Sequence, residues 1–346
     1  MTRKLGQADR PLSETSDYIF LDLDGVCYRG SSPIENVPEG IREAEANGNK
    51  KAFLTNNSMA APRSVAAKLA SVGVDAEESE IYTSSRTAVA QVLERFPNGA
   101  KVLALGTEGL FYELEQTDLE VVTSADDKPD AVLQGLTKDL GWRELSEAAL
   151  AIRQGAVYFA TNLDATLPLE RGQYLGCGSM VEAVVHATGV RPIASGKPAP
   201  DMYRLAMKEK GARNPICVGD RLDTDIAGAN AAELPVLHVL TGVNTARDVM
   251  LAPDHERPTF LGIDMLDLNI AIPAITRDGS EWTCGEARVS LGSGVITVNG
   301  SELTTSQIGL NAYRALVATV WDAIDSGTSR DELAWLPEFT VVRENG

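Results

Sequence analysis

The sequence is short of several things, and each shortage removes a class of function. It holds three histidines and four cysteines in 346 residues. His186, His238 and His255 share no metal-ligand spacing, and Cys27, Cys177, Cys217 and Cys284 form no C-x-x-C pair. Neither a disulfide framework nor a zinc site is expected, and reduced thiols in a cytoplasmic protein are the default. No apolar run approaches the ~20 residues that a bilayer span needs. The polar stretch 1–16 lacks the apolar segment of a secretory signal and reads as a short tail. Positive charge is scarce: 31 Lys and Arg against 49 Asp and Glu give a net charge of −18. Without a basic cluster no nucleic-acid partner is expected, and the acidity disfavours an anionic membrane surface. A G-x-S-x-G elbow is missing, Gly176-x-Gly178 lacks the third glycine of a dinucleotide fingerprint, and the surroundings of Lys197 do not fit a P-loop. There is no clear internal repeat or low-complexity stretch.

What is present is a series of short apolar runs that end in polar or glycine residues. Residues 18–21 run into Asp22, residues 51–54 into Thr55-Asn56-Asn57, residues 216–218 into Gly219-Asp220, and residues 236–240 into Thr241-Gly242. Runs of this length suit strands buried on both faces of a parallel sheet. Helical patterns separate them, over about 39–47 with Gly48 as a stop, and over about 200–210 before Gly211. This alternation predicts an α/β fold with a doubly wound parallel sheet, whose binding crevice lies beyond the carboxyl ends of the strands. A second set of strands (101–105, 120–123, 131–134 and 157–160) and helices (146–154 and 179–186) predicts a small α/β domain inserted into the first. After about residue 264 come short strands over 282–290 and 295–298 around Gly292-Ser293-Gly294, then helical periodicity over 306–324. The expected domains are a core of residues 1–84 and 191–264, an inserted cap of 85–190, and a C-terminal α+β appendage of 265–346.

The chemistry concentrates at the strand ends. In Asp22-Leu23-Asp24-Gly25, alternate residues of an extended segment point the same way, so both carboxylates can face one site. Two adjacent carboxylates are costly without a cation between them, and a hard dication such as Mg²⁺ suits oxygen donors. A solvated acidic turn is the competing reading, and an EF-hand loop fails because its positions one and twelve would be Phe20 and Ser31. Thr55, Asn56 and Asn57 offer hydrogen bonds to phosphate oxygens, although Asn-Asn after a strand also reads as a plain turn. Lys197, in a loop before a helix, can neutralise both a phosphate and a nucleophilic carboxylate, or is simply exposed. Asp220 can complete a metal shell. Asp225 can hold a metal-bound water or orient Lys197, and Asp223 reads as a helix cap. Cys27 reads as a small apolar filler, and His186 and His238 as structural.

The order D-x-D-G, Thr-Asn-Asn, Gly-Lys-Pro, then G-D-x-x-x-T-D resembles the haloacid dehalogenase (HAD) superfamily over about residues 15–262. It looks most like the 4-nitrophenylphosphatase-like subclass IIA. Thr161-Asn162-Leu163-Asp164, Leu167-Pro168-Leu169-Glu170 and Gly176-Cys177-Gly178-Ser179 add to that likeness. The resemblance implies a Mg²⁺-dependent phosphatase acting on a small phosphorylated metabolite. In it Asp22 is the nucleophile that forms an aspartyl-phosphate, and Asp24 is the acid and then the base. Thr55 and Lys197 bind the transferring group, and Asp22, the Asp24 carbonyl and Asp220 hold the metal. Asn162, Leu163, Asp164 and Arg171 are the expected specificity residues of the cap. Subclass members with a similar extra domain are glycerol 3-phosphate phosphatases, so that ester is the expected substrate, with phosphoglycolate and pyridoxal phosphate as rivals. The appendage looks like a reduced acetyltransferase-type fold without an acetyl-CoA glycine pattern. Relatives often dimerise through the cap, so a homodimer is expected. The alternative of another class is a non-catalytic metabolite-binding or regulatory protein on the same scaffold, and the intact Asp22 and Asp24 weigh against it.

Overall fold

A computed structural model describes residues 2–292 and 294–344, so Ser293 of the expected Gly292-Ser293-Gly294 turn lies outside the described residues. The chain forms two compact units, one of Met1–Phe53, Val72–Val74 and Met207–Gly346, the other of Leu54–Ser71 and Asp75–Ala206.

In the first unit, parallel strands stand in the order Phe260–Gly262, Val236–Val239, Ile216–Gly219, Tyr18–Leu21, Lys50–Thr55. The chain builds outward on one side of Tyr18–Leu21 and later on the other. The switch of direction therefore falls between Tyr18–Leu21 and Ile216–Gly219, where such sheets open a crevice at their carboxyl ends. Ile19, Phe20, Leu21, Cys217 and Val218 are all buried, as continuous apolar runs covered on both faces require. The expected N-terminal tail is not loose. Gly6 donates to the Thr259 carbonyl, Ala8 bridges Ile272, and Leu12–Thr15 is a short helix.

The appendage belongs to this unit. Ile275–Asp278, Glu281–Cys284, Ala287–Leu291, Ile296–Val298 and Ser301–Glu302 form an antiparallel meander. The helix expected over 306–324 is Leu310–Asp325. Its first residues go instead to the strand Gln307–Gly309, which pairs with Thr340–Val342. Leu310 and every residue from Ala312 to Trp321 are buried, the mark of a helix covered all round.

The second unit holds a parallel sheet in the order Ile193–Ala194, Val157–Ala160, Ala131–Gln134, Lys101–Leu105, Glu120–Val122. Alternate residues feed two cores: Leu103, Val132 and Tyr158 one, Val102, Leu133 and Phe159 the other. The helix expected over 146–154 is Trp142–Arg153, because Glu144 accepts from the Gly141 amide and secures an earlier start. A hairpin of Thr166–Leu169 and Gly172–Leu175 was not expected. Nearly all its residues are exposed, so it carries no inside–outside alternation to read. Among the described residues no helix is long and apolar enough to cross a membrane.

Candidate active site

The strand Tyr18–Leu21 delivers Asp22 to the crevice, where its amide donates to the Val218 carbonyl at 3.0 Å. The chain then wraps around one carbonyl. Val26, Cys27 and Tyr28 all donate their amides to Leu23, and the Gly25 amide donates to Tyr28. Gly25 has φ +93°, which a side chain would strain. Cys27 is buried and donates its thiol to the Asp22 carbonyl at 3.3 Å, so the expected filler also makes a polar contact. The side chain of Asp24 is exposed.

The neighbouring strand Ile216–Gly219 delivers Asp220. Carboxylate oxygens of Asp22, Asp220 and Asp225 lie within 4.8 Å of one another. Asp220 and Asp225 are 0% and 3% exposed, a placement that is costly for negative charge. Each is aimed by backbone amides. Asp220 Oδ2 accepts from Val243 at 2.7 Å. Asp225 Oδ2 accepts from Asp220 at 3.3 Å and Arg221 at 3.1 Å. Asp223, expected to cap a helix, instead forms an ion pair with Arg221, and Asp225 takes the amides at the head of that turn. A Cβ on Gly25 or Gly242 would lie 2.4 or 1.8 Å from Asp220 Oδ2, so both positions must stay bare for the carboxylate to fit. Three hard oxygen donors in a tight cradle suit a divalent cation such as Mg²⁺.

His238 packs under this group. Its Nε2 lies 3.0 Å from the Asp220 carbonyl, which can only accept, so Nε2 carries the proton. Burial pushes its pKa down to about 4, and the ring is neutral. Sequence reasoning missed the loop Thr241–Thr245. Thr241 Oγ1 donates to the Gly25 carbonyl, Val243 holds Asp220, and Asn244 Oδ1 accepts from Leu222. Its one signal was a further apolar run ending at the same sheet edge.

The second unit gathers a different set. Lys197 is 3% exposed, and its Nζ donates to the Leu54 carbonyl at 2.9 Å. Asn56 clamps the Lys197 backbone from both sides, accepting from its amide at 2.8 Å and donating to its carbonyl at 3.0 Å. The same Asn56 amide nitrogen lies 3.2 Å from the Asp164 carboxylate, and Asn162 donates to the Asn56 carbonyl at 2.9 Å. Thr55 is buried at its strand end, and its hydroxyl accepts from the Asn57 amide. Asn57 Oδ1 closes the following turn on Met59 and Ala60. Asn56, Asn162, Asp164 and Lys197 thus form one network. Leu163 is exposed beside it in sequence, and Arg171 is exposed at the tip of the hairpin.

Comparison with known proteins identifies the family. The haloacid dehalogenase-like hydrolase model matches residues 19–120, and a HAD-hydrolase-like model matches residues 194–268. The D-glycerol 3-phosphate phosphatase of Mycobacterium tuberculosis is 39% identical over 320 residues, covering 91% of this chain and 88% of that protein. The 5'-nucleotidase YutF of Bacillus subtilis is 35% identical, covering 69% of this chain and 92% of its own. The crystal structure of the M. tuberculosis glycerol phosphate phosphatase in complex with magnesium superposes with a TM-score of 0.81 at 38% identity, over 91% of this chain and 93% of that one. Motif order, sheet topology and these matches agree over both arms of the catalytic fold, and the chain belongs to the haloacid dehalogenase-like hydrolases.

Proposed function

We infer that this enzyme is a Mg²⁺-dependent phosphatase that hydrolyses a small phosphomonoester, with glycerol 3-phosphate as its substrate. The observation that carries the reading is the three-carboxylate group at the topological switch point, headed by Asp22. The substrate assignment is supported by the M. tuberculosis relative, which matches along nearly the whole chain.

In this reading Asp22, Asp220 and the backbone carbonyl of Asp24 would hold Mg²⁺, with Asp225 beside them. The bound ion supplies charge neutralisation for the phosphoryl oxygens. Asp22 attacks phosphorus through its other carboxylate oxygen, and the P–O bond to the leaving alkoxide breaks. Asp24 gives that alkoxide a proton. Water, deprotonated by Asp24, then attacks the aspartyl-phosphate and releases inorganic phosphate and free Asp22. Splitting hydrolysis this way replaces one difficult step with two easier ones. Thr55 and the Lys197 ammonium bind the transferring oxygens, flanked by Asn56 and Asn57. Burial of Lys197, with its ammonium oriented by the Leu54 carbonyl, supports its role as a fixed charged donor to an anion. Asn162, Leu163, Asp164 and Arg171 select the alcohol part of the ester.

Residues 1–84 and 191–264 serve as the catalytic core, 85–190 as the cap and 265–346 as the appendage. Four buried cysteines outside any disulfide are in keeping with a cytoplasmic enzyme. A homodimer is part of the same reading, and light scattering on the eluted protein checks it.

Phosphate release from a panel of esters, with and without Mg²⁺, tests the function. The expected kcat/KM for glycerol 3-phosphate exceeds that for phosphoglycolate, pyridoxal phosphate and a nucleoside 5'-monophosphate by about tenfold or more. The Asp22→Asn variant is expected to lose at least about 10⁴-fold in kcat. Equal rates across the panel refute the substrate, and undiminished turnover in Asp22→Asn refutes the mechanism.

A further inference from the structure

The cradle around Asp220 continues into the appendage. The loop at 241–245 holds Asp220 through the Val243 amide on Oδ2, and the turn that follows Asp22 through the Thr241 hydroxyl on the Gly25 carbonyl. Arg29 adds a third tie, donating to the Thr241 carbonyl at 2.5 Å. The loop runs directly into the helix Ala246–Met250, capped by Thr245, whose hydroxyl accepts from Asp248. Asn244 links the two, accepting from Leu222 and donating to the Asp248 carboxylate.

A helix of five residues has too few hydrogen bonds to hold its own position, so its neighbours must set it. Those neighbours come from the appendage. Tyr313 is fully buried and donates its hydroxyl to the Ala246 carbonyl at 3.3 Å. Trp321 donates Nε1 to the Val249 carbonyl at 3.0 Å. Arg247 reaches out from the short helix to the carbonyls of Leu336 and Ala334, both at 2.7 Å. Arg330 reaches back to the Leu251 carbonyl at 2.8 Å. The short helix is thus tied at both ends, and the carbonyls near its end find donors in the appendage.

We propose that Tyr313 and Trp321 are positioning residues for the divalent cation: by fixing the helix Ala246–Met250 they hold the loop Thr241–Thr245, and through it the Asp220 carboxylate, in the geometry that binds metal. The proposal rests on the Mg²⁺-dependent reading above. It gives the appendage a task in the reaction without any contact with substrate. Groups that orient metal ligands commonly change metal affinity by one to two orders of magnitude when removed. The brace acts on the metal side, so its loss raises the Mg²⁺ requirement and spares the binding of ester.

The test uses the full chain with Tyr313→Phe, Trp321→Phe and the double variant. Each removes a donor and keeps an aromatic ring. In metal-free protein, amide hydrogen exchange over residues 240–250 is expected to quicken in the double variant. The Mg²⁺-induced rise in Tm is expected to shrink. With 4-nitrophenyl phosphate, the Mg²⁺ concentration for half-maximal turnover is expected to rise roughly tenfold, while KM for the ester stays within about twofold. Arg277→Ala, which removes a partly exposed ion pair with Asp322 on the same helix and leaves the Tyr313 and Trp321 donors in place, is expected to leave all three readouts at wild-type values. The proposal is overturned if Tm falls equally with and without Mg²⁺ while exchange and Mg²⁺ half-saturation stay at wild-type values. Failure of the parent reading looks different: wild type itself then shows no Mg²⁺-dependent turnover, and the exchange comparison alone decides the brace.

Discussion

In the first unit three carboxylates are drawn together, two of them aimed by backbone amides, whereas in the second a buried lysine donates its ammonium to a backbone carbonyl while an asparagine side chain clamps its backbone. Backbone amides aim the Asp220 and Asp225 carboxylates, and a tight group of hard oxygen donors suits a divalent cation. The Leu54 carbonyl orients the Lys197 ammonium, a charged donor suited to an anion. A chain with net charge −18 requires such local provision, because its long-range field repels phosphate.

The comparison breaks most visibly at Gly242. A Cβ there would sit 1.8 Å from Asp220 Oδ2 and 2.5 Å from Asp220 Cβ, so Gly242→Ala must displace either the carboxylate or the loop. Turnover is expected to drop by at least about a thousandfold, and the Mg²⁺-induced rise in Tm should vanish. Calorimetry with and without Mg²⁺ checks this. A variant that keeps the metal response would show that the cradle tolerates what its geometry forbids.

Lys197→Ala strikes the other half. Turnover is expected to fall by about 10²–10³-fold, yet the Mg²⁺-induced rise in Tm should match wild type, since the proposed metal-holding residues are unchanged. Loss of the metal response in this variant would mean that the two charges are not prepared independently.

The two halves were unequally legible in the sequence. Apolar runs ending at Asp22 and Asp220 announced buried parallel strands, and their carboxyl ends located the crevice. The strands Lys101–Leu105, Ala131–Gln134 and Val157–Ala160 were equally plain, because both faces of each are buried. Three features were not legible. The hairpin of Thr166–Leu169 and Gly172–Leu175 is exposed, so its side chains record no periodicity. Asp223 and Asp225 are chemically identical and two residues apart, and only the path of the turn decides which reaches the amides. The loop Thr241–Thr245 acts largely through backbone groups and a missing Cβ, which leave little trace in residue type. Likewise Asn56 reads as a turn residue until Lys197 is seen to fold back on it from 141 positions away.

A third arrangement of charge sharpens the contrast and has the smallest expected effect. Arg257 is 1% exposed and lies 4.9 Å from the Trp321 ring. Its guanidinium meets the Asp325 carboxylate with Nη1 at 3.0 Å and Nη2 at 2.9 Å. Here the protein cancels both charges itself, so the pair is available to neither metal nor substrate, and its removal should be felt in stability rather than in turnover. Asp325→Asn keeps an acceptor oxygen and loses the charge. Because Asp325 is 24% exposed and water screens the pair, the expected loss is about 1–3 kcal/mol, below the cost of stranding a fully buried charge. The Arg257 hydrogen bond holds the Asp325 carboxyl below its ordinary value of 3.8. The stabilisation is therefore complete above that value and is lost as pH falls through the lowered pKa, where the folded state too takes up the proton. Urea midpoints for wild type and Asp325→Asn should accordingly lie furthest apart at neutral pH and converge below about pH 4, with turnover at saturating Mg²⁺ within about threefold of wild type. A gap that stays constant into acid would mean that the Asp325 charge contributes nothing to the fold.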